Sequence, residues 1–334
     1  MNPLPFVIAE AGVNHNGDVG RAREMVAVAK EAGADCVKFQ AFSPEGLVAA
    51  GAATAAYQAA NTGVADQQDL LRSLALGRDD FEAIARHCAD LKIEFFCTAF
   101  DVGFVETLIG FGMRRIKVAS GEMTNTPALR HFATLGLPIV LSTGMATLDE
   151  VELATVTLTK VGARDITLMH CTSLYPAPDA AINLKAMMTM QQRFGLPVGY
   201  SDHSMGDHVS IAAVALGATV IEKHFTLDRS LPGPDHKASL EPRELVDFIT
   251  KLRATATVLG DGIKQPVSAE RATAQLVRRS WHAARPLAAG TVLTAVDAVL
   301  KRPASGLAPD VEIVGCRLAR ARGVDEPIRA ADLA

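Results

Sequence analysis

The 334-residue chain has few cysteines, no long apolar run and no excess of basic residues. Its five cysteines are odd in number and show no Cys-x-x-Cys spacing, which argues against a disulfide framework and for a reducing compartment. No stretch reaches the roughly 18 consecutive apolar residues of a membrane span. The 33 Lys and Arg residues face 37 Asp and Glu, so no global basic field exists for nucleic acid. We therefore expect a cytoplasmic protein with neither membrane nor nucleic-acid partners.

What the sequence has instead is a regular alternation of short apolar runs and longer segments with helical spacing. Eight buried strands that alternate with helices predict a closed (β/α)8 TIM barrel of the α/β class. An open doubly wound sheet is disfavoured because no G-x-G-x-x-G turn follows the first strand. The predicted strands are 6–9, 35–39, 93–96, 115–118, 138–141, 166–169, 197–200 and 218–221.

The helical pattern ends near Leu259, and a change in composition then separates a small terminal module. We predict a TIM-barrel catalytic domain over residues 1–262, a linker over 263–276 and a mostly β domain over 277–334. Because so small a domain has little apolar surface to bury, we expect it to pack on something else. The connection from Ala41 to Gly77 is too long for a simple βα loop, which indicates a lid or a structured insertion.

Polar residues lie at the ends of all eight predicted strands, the edge where TIM barrels carry out their chemistry. Two lysines and several hydroxyl residues among them supply the charge-assisted hydrogen bonds that hold phosphate and carboxylate groups. The alternative is that the lysines are solvated surface charges. The predicted anion-binding residues are Lys38, Thr98, Lys117, Ser120, Ser142 and Ser201.

His203 and His224 end adjacent predicted strands, so both imidazoles can reach one metal ion. Two histidines leave coordination positions open for water and a substrate oxygen, as a Lewis-acid site requires. Glu10 and Glu122 are the carboxylates best placed for proton transfer or for holding sugar hydroxyls. The alternative for each glutamate is a structural ion pair with a buried lysine.

The segments at these strand ends resemble the sialic acid synthase family, and the resemblance covers essentially the whole chain. It implies a TIM barrel followed by an antifreeze-like (SAF) domain. It also implies an enzyme that condenses phosphoenolpyruvate with an open-chain N-acetylated hexosamine, giving a nine-carbon 2-keto-3-deoxy acid and phosphate. The matching segments are 9–17, 37–40, 117–122, 141–145, 170–172, 201–203, 222–226, 232–236 and 301–303.

The same resemblance implies roles for individual residues. His203 and His224 would hold a divalent metal, most often Mn2+, with Mg2+ or Co2+ as alternatives. Glu10 and Glu122 would line the sugar side, where one of them would be the catalytic group that handles protons. In a head-to-tail homodimer the SAF domain would cover the partner's barrel mouth and bring Arg302 to the N-acetyl group of the sugar. The phosphoenolpyruvate side would comprise Lys38, Thr98, Lys117, Ser120, Ser142, Ser173 and Ser201. The sugar side would comprise Gln40, Tyr175, Asp235 and Arg302.

Two departures from the family pattern leave the identity of the sugar substrate open. Ser173 stands where some members have Asn, and Ala304–Ser305 replaces a Gly-Asn pair. The sugar is N-acetylmannosamine or its 2,4-diacetamido-6-deoxy analogue, so a diacetyllegionaminate synthase is one alternative. The residues also allow a Schiff-base aldolase of 2-keto-3-deoxy acids, with Lys38 or Lys117 as nucleophile. A third alternative is a non-catalytic carbohydrate-binding protein that uses the terminal domain.

Overall fold

A computed structural model describes residues 4–334, so the first three residues of the predicted barrel domain lie outside the described range. The described residues form two compact units, one that ends at Asp261 and one over Gly262–Ala334. Within the described residues, no helix has the length and apolar character needed to cross a membrane.

The first unit is a closed barrel of eight parallel strands, paired in chain order, with the last strand returning to the first. The predicted TIM barrel is therefore confirmed. Most strands continue past their predicted ends, because polar residues such as Gln40 and Thr98 still pair in the ladder. The strands are β1 Phe6–Gly12, β2 Cys36–Ala41, β3 Glu94–Ala99, β4 Ile116–Val118, β5 Ile139–Ser142, β6 Ile166–Cys171, β7 Val198–Asp202 and β8 Val220–His224.

Helices surround the barrel and bury their apolar faces against it. In the helix over Leu148–Val161, Thr147 accepts a hydrogen bond from the Glu150 amide while the Glu150 side chain accepts one from the Thr147 amide. This capping box satisfies amides that have no partner within the helix. The helices of this unit are α1 Val19–Glu31, α2 Pro44–Leu47, α3 Ala56–Thr62, α4 Gln67–Leu74, α5 Arg78–Leu91, α6 Val105–Gly110, α7 Thr126–Thr134, α8 Leu148–Val161, α9 Lys185–Phe194, α10 His208–Ala215 and α11 Pro242–Leu259.

The long connection between β2 and α5 is a structured insertion that carries α2, α3 and α4. Leu70 and Leu74 of α4 pack against Val13, in the loop after β1, to form a small apolar cluster separate from the main core. The insertion is thereby attached to the carboxyl-terminal edge of the barrel, where the functional side chains lie.

The second unit begins with helix α12, Ser268–Val277, which lies largely within the predicted linker. Strands β9, Ser280–Ala283, and β10, Ala298–Lys301, then form an antiparallel pair, and isolated bridges connect the remaining loops. This unit has its own small core. The core residues are Ala283, Leu287, Leu293, Ile313, Leu318 and Ile328.

Candidate active site

A cavity of about 410 Å³ opens at the carboxyl ends of the barrel strands. Its wall contains side chains from the strand ends and from the insertion. The structure brings together all of the predicted site residues except Glu122 and Arg302. The predicted residues that line the cavity are Glu10, Lys38, Gln40, Thr98, Lys117, Ser120, Ser142, Ser173, Tyr175, Ser201, His203, His224 and Asp235.

Four buried charges form a cluster at the floor of the cavity. The Lys38 ammonium lies 2.9 Å from Oε2 of Glu10 and 3.6 Å from Oε1 of Glu222, while the Lys117 ammonium lies 2.7 Å from Oε2 of Glu222. All four residues are at most 5% exposed, so the lysines are not solvated surface charges. Lys38 also donates a hydrogen bond of 2.9 Å to the Thr98 hydroxyl. We call these two lysines and two glutamates the charge cluster.

Glu222 is a member of the charge cluster that the sequence analysis placed in a matching segment at a strand end but to which it assigned no role. Side chains two residues apart on a strand face the same side, so Glu222 points into the barrel as His224 does. This periodicity was a signal that could have identified it. The Ser201 hydroxyl also donates a hydrogen bond of 3.3 Å to Glu222, which places a predicted anion-binding residue on the same carboxylate.

The two glutamates of the charge cluster differ in acidity. Burial raises the pKa of Glu10, and the charge of Lys38 does not fully offset this effect. Burial also acts to raise the pKa of Glu222, but the charges of Lys117 and Lys38 outweigh it and hold that pKa below its usual value. Glu10 is therefore the carboxylate that takes up a proton more readily, as a proton-transfer group requires.

Two hydroxyl groups of the predicted phosphoenolpyruvate side, those of Ser120 and Ser173, lie close to Gly144. The Gly144 amide donates a hydrogen bond of 3.0 Å to the Ser120 hydroxyl, which lies 3.1 Å from the Cys171 sulfur. A Cβ atom on Gly144 would lie 2.3 Å from the Ser173 hydroxyl oxygen and 2.8 Å from the Ser120 oxygen. Only glycine leaves room for these polar groups to converge on the loop after β5.

His203 and His224 are buried at the cavity wall with their ring centroids 5.8 Å apart. Burial lowers the pKa of His203 to about 4 and that of His224 to about 3, so both rings are neutral at pH 7. Nδ1 of His203 lies 2.8 Å from the Thr172 carbonyl oxygen, which only accepts, so this nitrogen carries the proton and Nε2 keeps its lone pair.

The residues present fit a divalent metal that binds imidazole nitrogen. Nδ1 of His224 is buried and has no hydrogen-bond partner among the described residues. The described part of the chain contains no cluster of three or more His, Cys, Asp or Glu residues arranged for a metal. The protein would therefore contribute two neutral imidazoles, and water or substrate oxygens would complete the coordination.

Stacked aromatic rings connect the insertion to the histidines. The ring centroids of Tyr175 and His203 are 4.1 Å apart, and the Tyr57 ring of α3 stacks on Tyr175 with a centroid distance of 5.1 Å. Asn61, also on α3, donates a hydrogen bond of 2.7 Å to the Pro234 carbonyl beside Asp235. The sequence predictions did not include Tyr57, because the way an insertion of short helices packs over a barrel has no periodic signal in the sequence.

Asp235 is a buried carboxyl group whose Oδ1 has no hydrogen-bond partner among the described residues. Burial and the negative charge of Glu10 raise its pKa to about 7. Its own backbone carbonyl accepts a hydrogen bond of 2.7 Å from the Ser239 hydroxyl, which anchors the loop. Near neutral pH this carboxyl group is available both to donate and to accept a hydrogen bond at the cavity wall.

Two predicted residues lie elsewhere in the described structure. Glu122 does not line the cavity, because it ends a short 3₁₀ turn and its carboxylate accepts a hydrogen bond of 2.8 Å from the Asn125 side chain. The cavity geometry therefore favours Glu10 over Glu122 as the proton-transfer group. Arg302 follows β10 in the second unit, and its role toward the sugar stays a prediction.

Comparisons with known proteins find two families and several relatives of similar length. Residues 25–264 match the NeuB family, and residues 278–334 match the SAF domain. The chain is 46% identical to the N,N'-diacetyllegionaminic acid synthase of Legionella pneumophila, covering 94% of this chain and 90% of that protein. It is 34% identical to the N-acetylneuraminate-9-phosphate synthase of Drosophila melanogaster, covering 97% and 94%.

A similar solved structure is that of N-acetylneuraminic acid (sialic acid) synthetase from Leptospira borgpetersenii in complex with citrate. It aligns with a TM-score of 0.73 at 34% identity and covers 81% of this chain and 90% of that one. The likeness therefore extends across most of both chains, at an identity that relates them in sequence as well as in fold.

Proposed function

The chain belongs to the NeuB family, and on that premise we propose that it is a nonulosonic acid synthase. This membership confirms the resemblance inferred from the strand-end motifs. The proposed reaction condenses phosphoenolpyruvate with an open-chain N-acetylated hexosamine and releases phosphate. The observation that carries the proposal is that the charge cluster and two neutral histidines line a single cavity.

Phosphoenolpyruvate would bind at the floor of the cavity. Lys38 and Lys117 supply positive charge there, and the hydroxyl groups of Thr98, Ser120 and Ser142 surround it. These donors are suited to the phosphate and the carboxylate of the substrate. As C3 of phosphoenolpyruvate attacks the aldehyde carbon and water adds at C2, the lysines stabilise the negative charge until phosphate leaves.

Glu10 would move the proton in this step. Its Oε1 accepts a hydrogen bond of 2.9 Å from the Gln40 amide and its Oε2 lies 2.9 Å from the Lys38 ammonium, which fixes the carboxylate. Its raised pKa suits a group that exchanges a proton with water or with the new hydroxyl. A divalent metal, Mn2+ or alternatively Mg2+ or Co2+, held by His203 and His224 would supply Lewis-acid polarisation of the aldehyde.

The charge cluster weighs against a Schiff-base aldolase. Burial acts to lower the pKa of Lys38, but the carboxylates of Glu10 and Glu222 outweigh it and raise that pKa above its usual value. A Schiff-base lysine needs the opposite shift, because only the neutral amine attacks a carbonyl. Lys117 is likewise paired with Glu222 at 2.7 Å.

The charged residues and the insertion residues at the cavity wall favour an unphosphorylated sugar with apolar substituents. Lys38 and Lys117 are the only lysines or arginines among the described residues that line the cavity, and both are already paired. Among the residues that line this cavity, a phosphate on the sugar would therefore find no unpaired lysine or arginine. We therefore favour the 2,4-diacetamido-6-deoxy sugar over N-acetylmannosamine, with support from the name of the Legionella relative. The insertion residues that line the cavity are Tyr57, Gln58, Gln67, Leu70, Leu71 and Leu74.

We also propose a homodimer in which the SAF domain of one subunit covers the cavity of its partner. The small core of the second unit supports this, because such a unit gains stability by packing on a larger body. We propose the cytoplasm as the location, since all five cysteines are free in the described residues.

The decisive test is a phosphate-release assay with phosphoenolpyruvate and Mn2+ on the full chain. Candidate sugars are 2,4-diacetamido-2,4,6-trideoxymannose, N-acetylmannosamine and N-acetylmannosamine 6-phosphate. We expect the highest kcat/KM with the first, none with the phosphorylated sugar, and loss of turnover on chelation. A pyruvate adduct trapped by borohydride would instead indicate an aldolase. Sugar binding without phosphate release would indicate a binding protein.

A further inference from the structure

A second buried ion pair lies beside the two histidines but outside the cavity. The Lys223 ammonium is 3.2 Å from Oδ2 of Asp202, and the two side chains are 1% and 0% exposed. They face each other in the pairing of β7 with β8. Because alternate residues of a strand face opposite sides, Lys223 points away from the cavity into which Glu222 and His224 point. Neither partner of this pair lines the cavity.

This pair is the centre of a hydrogen-bond network that fixes the chain around His203. Oδ1 of Asp202 accepts hydrogen bonds from the amide of Ser204 at 2.8 Å and from its hydroxyl at 2.6 Å. Oδ2 accepts one of 2.6 Å from Ser210 on α10. Lys223 donates a hydrogen bond of 2.5 Å to the Ser204 carbonyl. Ser204, which directly follows His203, is thus held by hydrogen bonds at both its amide and its carbonyl.

The arrangement links the backbones that carry the two histidines. Asp202 and Ser204 flank His203, while Lys223 directly precedes His224. A buried ion pair is a weak source of stability, because the cost of removing both charges from water offsets their attraction. Its effect here is geometric, since it sets the distance between the ends of β7 and β8.

We propose that Asp202 and Lys223 are positioning residues that hold His203 and His224 at the spacing needed to share one divalent cation. This inference rests on the metal-binding role of the histidines in the proposed function. Neither residue lines the cavity, so the network would act only through the backbone and ring positions of the two histidines.

The test measures Mn2+ binding by the full chain without substrates, from the electron paramagnetic resonance signal of free Mn2+. The D202N/K223M variant removes both charges at similar volume. We expect its Kd for Mn2+ to rise roughly 10- to 100-fold, the usual effect of losing a group that orients metal ligands. Its Kd for phosphoenolpyruvate without metal, measured by calorimetry, should stay within about twofold of wild type.

The matched control is E94Q/R115M, which removes an ion pair of 2.6 Å where β3 and β4 begin, at the opposite end of the barrel. It should leave Mn2+ affinity unchanged. S210A, which removes one hydrogen bond to Asp202, tests the same idea with a milder change and should weaken Mn2+ binding by a smaller factor. Wild-type affinity in both D202N/K223M and S210A would overturn the proposal, as would wild-type affinity in S210A if the double variant does not fold.

The H203A/H224A variant separates this inference from the proposed function. If wild type binds Mn2+ and H203A/H224A does not, the metal site stands and the positioning variants decide the inference. If wild type and H203A/H224A bind Mn2+ equally, the metal assignment is wrong and the positioning role is overturned with it.

Discussion

At the scale of single residues, the charge cluster makes each of its members dependent on the others. Glu222 is the partner of Lys117 at 2.7 Å and a second partner of Lys38 at 3.6 Å. Removing one partner of a buried ion pair leaves the other charge without compensation, which typically costs about 3–5 kcal/mol. Without Glu222 the Lys117 ammonium has lost its carboxylate partner, and an anion that binds there restores part of that loss.

Glu222→Gln should therefore be destabilised, and inorganic phosphate should stabilise it more than it stabilises wild type. The reason is that a ligand bound only by the folded state adds stability that grows with the logarithm of its concentration relative to its Kd, so tighter binding stabilises more. The measurement is urea-induced unfolding with and without phosphate, and Glu24→Gln on the exposed face of α1 is the control. Equal stabilisation of all three proteins by phosphate would contradict the prediction.

Asp235 provides a prediction about pH. Because its pKa is about 7 in the folded protein and near 3.8 when unperturbed, wild type loses stability as pH rises from about 4 to 7. Asp235→Asn has no carboxyl group at this position and does not show this loss. The free energy of unfolding of the variant, relative to that of wild type, should therefore increase by about 2–3 kcal/mol between pH 5 and pH 8. Denaturant unfolding at the two pH values measures the difference, with the exposed Asp90→Asn variant expected to show none.

Tyr57 tests the contribution of the insertion to sugar binding. Tyr57→Ala removes the ring that stacks on Tyr175, so we expect the sugar KM to rise severalfold while the KM for phosphoenolpyruvate stays near its wild-type value. Tyr57→Phe keeps the stacked ring and serves as the matched control. Steady-state kinetics with each substrate varied in turn give both constants. An equal rise in the two KM values would argue against a role at the sugar side.

At the scale of secondary-structure elements, β7 depends on a glycine. A Cβ atom on Gly199 would lie 2.5 Å from the Met169 sulfur of β6 and 2.5 Å from the Val220 carbonyl of β8. Gly199→Ala should therefore lower the free energy of unfolding by about 1–3 kcal/mol, the usual cost of overpacking. Gly110→Ala is the control, since nothing lies within 4 Å of its Cβ position. Similar unfolding midpoints for the two variants would refute this explanation.

The elements also show what the sequence could and could not predict. Barrel strands have strong signals, because each is an apolar run between helices with helical spacing, and all eight were placed to within a few residues. Side chains at the strand ends could be assigned for the same reason. Tyr57 was not predicted and Glu122 lies outside the cavity wall, because an insertion and a 3₁₀ turn take their positions from tertiary packing. Helix α12 lies in a segment whose composition predicted a linker, and none of its residues is buried.

At the scale of the whole molecule, the proposed dimer makes a prediction that a monomer does not. H203A would inactivate its own barrel but leave its SAF domain intact, whereas R302A would do the reverse. If the SAF domain covers the partner's cavity, a heterodimer of the two variants contains one complete site. It should show about half of wild-type activity, since one of two equivalent sites is restored.

The measurement uses heterodimers isolated with two different affinity tags after co-expression. Each homodimeric variant is its own control and should be far less active than the heterodimer. If Arg302 acted on the barrel of its own chain, no heterodimer site would be complete. Activity no greater than that of the R302A homodimer would then exclude the exchanged arrangement.

The charge cluster has one further consequence, which concerns the end of the catalytic cycle. Two positive and two negative side chains sum to zero, so the empty cavity floor is electrically balanced. An arriving anion competes with Glu10 and Glu222 for the lysines, and a departing anion is replaced by the same carboxylates. In the proposed reaction the two glutamates would thus act as internal counter-ions that displace inorganic phosphate from the lysines. Weak inhibition by this product, and rapid regeneration of the free enzyme, are the expected results of that exchange.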